Sequence, residues 1–109
     1  MVVANLGLSN LVALVDHNDW GGMDRMSVVH PRLHSLEEKF EAFGWWGTVV
    51  GGHNHADLVE ETLPMMTRPR AVICCTTKGK GISFMEDSAI WHYRSPSPEE
   101  YVLAMEELS

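Results

Sequence analysis

The chain has 109 residues, 45% of them hydrophobic and 21% charged, with a formal net charge of -7 at pH 7. That length allows at most one domain with a modest core, and the composition is that of a globular rather than a disordered chain. The acidic balance and scattered basic residues exclude a nucleic-acid surface built on counterion release, and no apolar stretch approaches the roughly 20 residues of a membrane span.

Taken in chain order, residues 2–8 are too few to stand as a helix alone. Small and apolar side chains ended by Gly7 and Ser9 suit the last turns of a helix whose beginning lies upstream. Residues 11–15 form a short, β-branched apolar run that stops at Asp16-His17-Asn18-Asp19, which reads as a buried strand feeding a loop. In open parallel sheets ligands sit just outside the carboxyl ends of strands, so Asn18 is the first candidate for a site. Residues 21–33 have no periodicity and contain Pro31, and read as a long loop.

Ser35-Leu-Glu-Glu38 fits a capping box opening a helix in which Leu36, Phe40 and Phe43 share a face and Gly44 closes the end. Residues 45–50 are the second strand, ending at Gly51-Gly52. Asn54 then caps a helix with Ala56, Val59 and Leu63 facing inward and Asp57 in its first turn, punctuated by Pro64 and Pro69. Residues 70–76 are the third strand, with Cys74 and Cys75 pointing to opposite faces, which does not favour a bond between them. A reducing, cytoplasmic compartment is the simplest reading. An irregular stretch runs to Ser95, and Ser97-Pro98-Glu99-Glu100 opens a last helix with a second capping box and an apolar stripe of Tyr101, Ala104, Met105 and Leu108. Strand-helix alternation of this kind predicts an α/β fold, a parallel sheet in three layers with right-handed crossovers. Its strands end on one edge, where Asn18, His53 and residues 78–92 are expected to converge.

Several motifs carry chemistry and each has a bland alternative. Asp16-x-Asn18-x-Trp20-Gly21 begins like a calcium loop, but Trp20 and Ser27 stand where a carboxylate and a bidentate Glu are needed, so an EF-hand is rejected. The same residues turn a chain well with no ligand. His30-x-x-x-His34 and His53-Asn-His55 lack the partners of a structural zinc site and read as solvated. Thr77-Lys78-Gly79-Lys80-Gly81 is not a Walker motif, yet its glycines let amides approach an anion while Lys78 or Lys80 adds charge. The alternative is a solvated basic turn. His92, between Trp91 and Tyr93, suits proton transfer or hydrogen bonding to phosphate, or else is a packed, non-catalytic side chain.

Together, in this order, these segments resemble the thiamine-diphosphate-binding domain of the transketolase family, and especially its separate N-terminal subunit. The resemblance runs through Leu6-Gly-Leu-Ser-Asn-Leu-Val-Ala-Leu-Val-Asp-His-Asn18, Leu36-Glu-Glu-Lys-Phe-Glu-Ala-Phe-Gly-Trp45, Gly52-His-Asn, Thr77-Lys-Gly-Lys-Gly-Ile-Ser-Phe-Met-Glu86 and Trp91-His92, nearly the whole chain. It implies that residues 1–109 are the C-terminal part of a thiamine-diphosphate-binding fold. The implied activity is transfer of a two-carbon ketol unit between sugar phosphates, a step of carbohydrate metabolism, with thiamine diphosphate held through Mg²⁺. Asn18 and the carbonyl of Trp20 map onto two of the family's metal ligands, and oxygen donors suit a hard cation. His92 maps onto the family His that contacts diphosphate and substrate, which implies a catalytic and cofactor-binding role, with Lys78 and Lys80 beside the cofactor. The implied partners are a sugar phosphate and a pyrimidine-binding transketolase domain or subunit, in a dimer or hetero-oligomer, with neither nucleic acid nor membrane.

This sequence departs from the family in two places. It has no Gly-Asp-Gly, which leaves the metal site without its carboxylate, and His53-Asn54 replaces the usual His-Asp. The expectation is therefore a fragment, or a truncated gene product, that is not catalytic alone and exposes residues 11–15 as an apolar sheet edge. Two other readings remain. One is a different thiamine-diphosphate enzyme, of the deoxyxylulose-phosphate synthase or 2-oxo acid dehydrogenase type. The other is a non-catalytic interaction module.

Overall fold

The computed structural model describes residues 1–63 and 67–109. Pro64, one of the two expected helix-ending prolines, lies outside the described residues. The chain divides into two compact units, residues 1–17 with 32–76 and residues 18–31 with 77–109.

The first unit is a parallel sheet flanked by helices, as the alternation of elements predicts. Strands β1 (Val12–His17), β4 (Trp46–Gly51) and β5 (Arg70–Cys75) lie in the order β1-β5-β4. Both pairings are parallel, and the register is level: His17 and Gly51 each stand beside Cys75. The three strands therefore end together at one edge. β5 is central, which is why its apolar run is continuous: Ala71, Val72, Ile73 and Cys74 are all buried. β1 is an edge strand with no buried residue and with Leu14 59% exposed, which corrects the reading of residues 11–15 as a buried strand and matches the expected apolar edge: only one side of β1 has a neighbouring strand. Cys74 is buried and Cys75 exposed, both as free thiols, as the alternation of a strand requires. Among the described residues no helix is long and apolar enough to cross a membrane.

Helix α1 covers Val2–Asn5, and helix α3 covers Leu36–Ala42. Trp45, just before β4, meets Phe40 of α3 edge to face with ring centroids 5.4 Å apart. α3 passes so close to β4 that a Cβ on Gly47 would lie 2.5 Å from the Glu37 carbonyl oxygen. The expected Ser35 capping box does not form. Ser35 sits in the left-handed region at φ +59, and its side chain caps nothing. A hydroxyl reaches the third amide only from an extended N-cap. The helix is entered instead through Lys39, whose ammonium donates to the carbonyls of Leu33 and His34.

Helix α4 (His55–Thr62) is capped as expected, with the Asn54 side chain accepting from the amides of Ala56 and Asp57 at 3.1 and 3.4 Å. Its buried face is a correction. Val59 and Leu63 are 65% and 60% exposed and Ala56 is exposed, while Asp57, Leu58, Glu61 and Thr62 are half-buried. Arg70 explains the rotation. Its guanidinium takes both the carboxylate and the carbonyl of Glu61, at 3.0 and 2.8 Å, which turns that face toward β5.

In the second unit the expected loop of residues 21–33 is largely ordered. β2 (Trp20–Gly21) pairs antiparallel with β3 (Asp24–Arg25), and a one-turn helix α2 (Met26–Val29) follows. Elements this short lie below the reach of periodicity. A 3₁₀ turn covers Ala89–His92 inside the expected irregular stretch, and helix α5 runs over Pro98–Glu107. Ser97 and Glu100 complete the predicted capping box. The predicted stripe is not buried, however: Ala104 is, but Tyr101, Met105 and Leu108 are more than half exposed.

Candidate functional site

The second unit contains all five residues singled out as site candidates: Asn18, Trp20, Lys78, Lys80 and His92. His53 belongs to the first unit, where it is exposed.

The Asn18 segment is built as a braced hairpin. Asn18 Oδ1 accepts the Trp20 amide at 2.8 Å, an Asx turn that starts β2. The bland reading of this segment as a chain-turning device is thus correct as far as it goes. An amide oxygen has two lone pairs, so accepting one amide is compatible with ligating a cation. Asp19 adopts φ +65, and its carboxylate accepts from the Ser27 amide at 2.7 Å and the Ser27 hydroxyl at 2.8 Å. These Ser27 bonds, followed by the charge of Arg25, hold the Asp19 carboxyl below its ordinary pKa. The Arg25 guanidinium lies 4.3 Å from the centre of the Trp20 ring, at cation–π distance.

The Lys-Gly-Lys-Gly turn uses its glycines. Gly79 and Gly81 have φ +73 and +100, and a Cβ on Gly79 would lie 2.5 Å from the Met85 carbonyl oxygen. Glu86 already serves this turn: its carboxylate accepts from the Gly81 amide and pairs with the Lys80 ammonium, both at 3.1 Å. An anion approaching Lys80 therefore competes with Glu86. Lys78 contributes its carbonyl, which accepts the Asp87 amide at 2.8 Å.

Asp87 connects the two loops. One carboxylate oxygen accepts the Trp20 indole N–H at 2.9 Å and the other accepts the Arg25 guanidinium. The Arg25 bond first, then the Trp20 bond, holds the Asp87 carboxyl below its usual range, and Asp87 in turn raises Arg25.

His92 lies beside the hairpin turn. A Cβ on Gly22, itself at φ +87, would stand 3.9 Å from His92 Nε2 and 3.7 Å from the Tyr93 hydroxyl. His92 meets the Tyr93 ring edge-on at 4.8 Å, and both are exposed. The alternative of a packed His92 side chain is thereby corrected: Trp91 and not His92 turns inward. The Trp91 indole donates to the Phe84 carbonyl at 3.1 Å, and the Arg94 guanidinium stacks 3.9 Å from its ring centre. Arg94 forms a two-pronged pair with Glu100 at 2.8 and 2.6 Å, which, with the Ser97 amide, lowers the Glu100 pKa to about 2. The 3₁₀ turn is thereby tied to the start of α5.

Sequence reasoning missed Asp87, Arg25, Glu86 and Arg94. Asp19 and Asp87 share one weak signal, since Asp tolerates a left-handed backbone better than most residues. Among the described residues no group of three or more His, Cys, Asp or Glu could hold a metal. Asn18 and the Trp20 carbonyl supply two oxygens, and a Mg²⁺ ion wants about six. They fit part of such a set, with diphosphate oxygens and a further carboxylate needed to fill it.

A parallel three-stranded sheet flanked by helices, its strands ending level at one edge, makes the chain a partial α/β fold. No family model matches it. It is 34% identical over 105 residues to one of the subunits of the apulose-4-phosphate transketolase of Phocaeicola vulgatus, covering 94% of this chain and 37% of that protein. It is 36% identical over 85 residues to human transketolase, covering 78% of this chain and 14% of that one. A third relative is the 6-deoxy-6-sulfo-D-fructose transketolase subunit SqwG of Clostridium sp., 32% identical over 93% of this chain and 38% of its own length. The chain belongs to the transketolase family. It spans well under half the length of these curated relatives.

Proposed function

We propose that the chain is the part of a transketolase-type transferase that helps to hold Mg²⁺-thiamine diphosphate, within an enzyme that moves a two-carbon ketol unit between sugar phosphates. The observation that carries this reading is the coincidence of family and geometry. Identity to the apulose-4-phosphate transketolase chain runs over 94% of this one, and the residues that matter fall in one compact unit. The names of the relatives favour ketol transfer over the other thiamine-dependent reactions. Residues 1–109 then correspond to the C-terminal part of the cofactor-binding domain. Two relatives are called subunits, which supports assembly with a pyrimidine-binding domain or subunit. The adjacent free thiols of Cys74 and Cys75 support a cytoplasmic setting.

In this reading Asn18 Oδ1 and the Trp20 carbonyl face the cation, Lys78 and Lys80 face the diphosphate, and exposed His92 hydrogen-bonds to diphosphate or substrate. Thiamine diphosphate, when bound, supplies the electron sink that lets a carbon–carbon bond beside a carbonyl break. The chain itself orients oxygens and places cations. Lacking the Gly-Asp-Gly carboxylate, it is expected to bind weakly and to be inactive by itself.

Titrating the labelled chain with Mg²⁺ and thiamine diphosphate tests this. The expected result is a dissociation constant on the order of millimolar, with amide shifts at residues 18–20, 78–81 and 92. Absence of shifts at those positions would overturn the reading. Tight, Mg²⁺-dependent binding in calorimetry would refute the claim that the carboxylate is indispensable.

A further inference from the structure

Asp87 is held in a way that its own turn does not require. It adopts φ +54, a region where a side chain is a liability and glycine is at ease. Its amide is fixed to the Lys78 carbonyl at 2.8 Å. Its two carboxylate oxygens go to different donors, the Trp20 indole 67 residues away and the Arg25 guanidinium 62 residues away. Both donors lie on the β2–β3 hairpin. Both oxygens accept from protein donors on one hairpin, so the carboxylate is suited to holding its neighbours in place.

We propose that Asp87 is a positioning residue that holds the Asn18–Trp20 oxygens in register with the Lys78–Gly81 turn, so that one Mg²⁺-diphosphate group meets both. This rests on the proposed function for the identity of the group. The bracket has two parts of unequal reach. The ion pair fixes β3, and the indole bond fixes β2 at the residue whose carbonyl faces the cation. Arg25, stacked on the same indole and 3.6 Å from Asp19, closes the bracket from the other side.

The test uses the whole ¹⁵N-labelled chain and two variants that suit a left-handed backbone. Asp87→Gly removes the carboxylate, and Asp87→Asn keeps an acceptor oxygen while losing the charge. In Asp87→Gly, nuclear Overhauser contacts between the Trp20 indole and residues 78–87 should disappear. Indole exchange should quicken about tenfold, with amide shifts of the first unit unchanged. Asp87→Asn should retain the indole contact, a rescue that a general loss of folding would not produce. With Mg²⁺ and inorganic diphosphate as the probe, the unaltered chain should respond at residues 18–20 and 78–81 with one midpoint, and Asp87→Gly at 78–81 alone. Unchanged contacts and exchange in Asp87→Gly would overturn the proposal, as would a two-loop response identical to that of the unaltered chain. If the unaltered chain responds at neither loop, the proposed function fails instead, and the contacts and exchange rates alone decide the role of Asp87.

Discussion

In the first unit Ala71, Val72 and Ile73 of β5 are 0%, 0% and 1% exposed, with Trp45 and Pro69 buried beside the same strand. In the second unit Ala104 is the one buried hydrophobic residue among those described, and the elements are joined by Asp19–Ser27, Asp87–Trp20–Arg25, Ser83–Glu107 and Arg94–Glu100 contacts. Apolar burial is indifferent to pH and additive over area, so the first unit should be cooperative and robust. Exposed charged brackets are individually weak and depend on protonation and salt, so the second unit should open first. The groups proposed to bind the cofactor all belong to the second kind of structure, which suits loops that adjust to a ligand.

The largest test of this contrast is Ile73→Ala. Truncating a side chain with no solvent contact at the centre of the sheet should cost about 3 kcal/mol in urea unfolding, and an effect near zero would mean that β5 is not the core. Gly47→Ala should follow at about 2 kcal/mol, since the added carbon meets the Glu37 backbone, which cannot swing away. In the second unit Ser97→Ala should cost about 1 kcal/mol, seen as faster hydrogen exchange in α5 and not in β5. The smallest effect is acid-induced. The folded pKa of Glu100, about 2, lies below its ordinary 4.5. Its stabilising contribution is therefore present above pH 4.5 and lost as the pH falls from 4.5 toward 2. Exchange in residues 91–108 should quicken over that window while β5 holds, and Arg94→Gln should raise the Glu100 pKa toward its ordinary value. Simultaneous acid loosening of both units would erase the distinction.

Features encoded by neighbouring residues are legible in the sequence. The apolar run of residues 70–76 marked a strand, though not its central place in the sheet, and the Asn54 and Ser97 caps formed as spaced, because a cap needs only residues within one turn. Ser35-x-x-Glu38 had the same spacing and failed, because a left-handed backbone at Ser35 takes its hydroxyl out of reach of the third amide. Val59 and Leu63 had helical spacing and still face outward, because Arg70 draws Glu61 inward. Asn18, the two lysines and His92 were singled out from local residue patterns, and the family's motifs added Trp20; the contacts of Asp87 with Trp20 and Arg25 had no such local signal.

From the sequence alone came the α/β class, the three strands, two of the three helix caps and the family, since each depends on residue type at short spacing or on similarity along the chain. Only the tertiary structure decided which faces are buried, that residues 21–33 are ordered, and that Asp87 ties the Asn18 hairpin to the Lys-Gly-Lys-Gly turn. The physical reason is distance along the chain. A hydrogen bond across more than 60 residues leaves no periodic trace, and it exists only once the backbone has brought its donor and acceptor together.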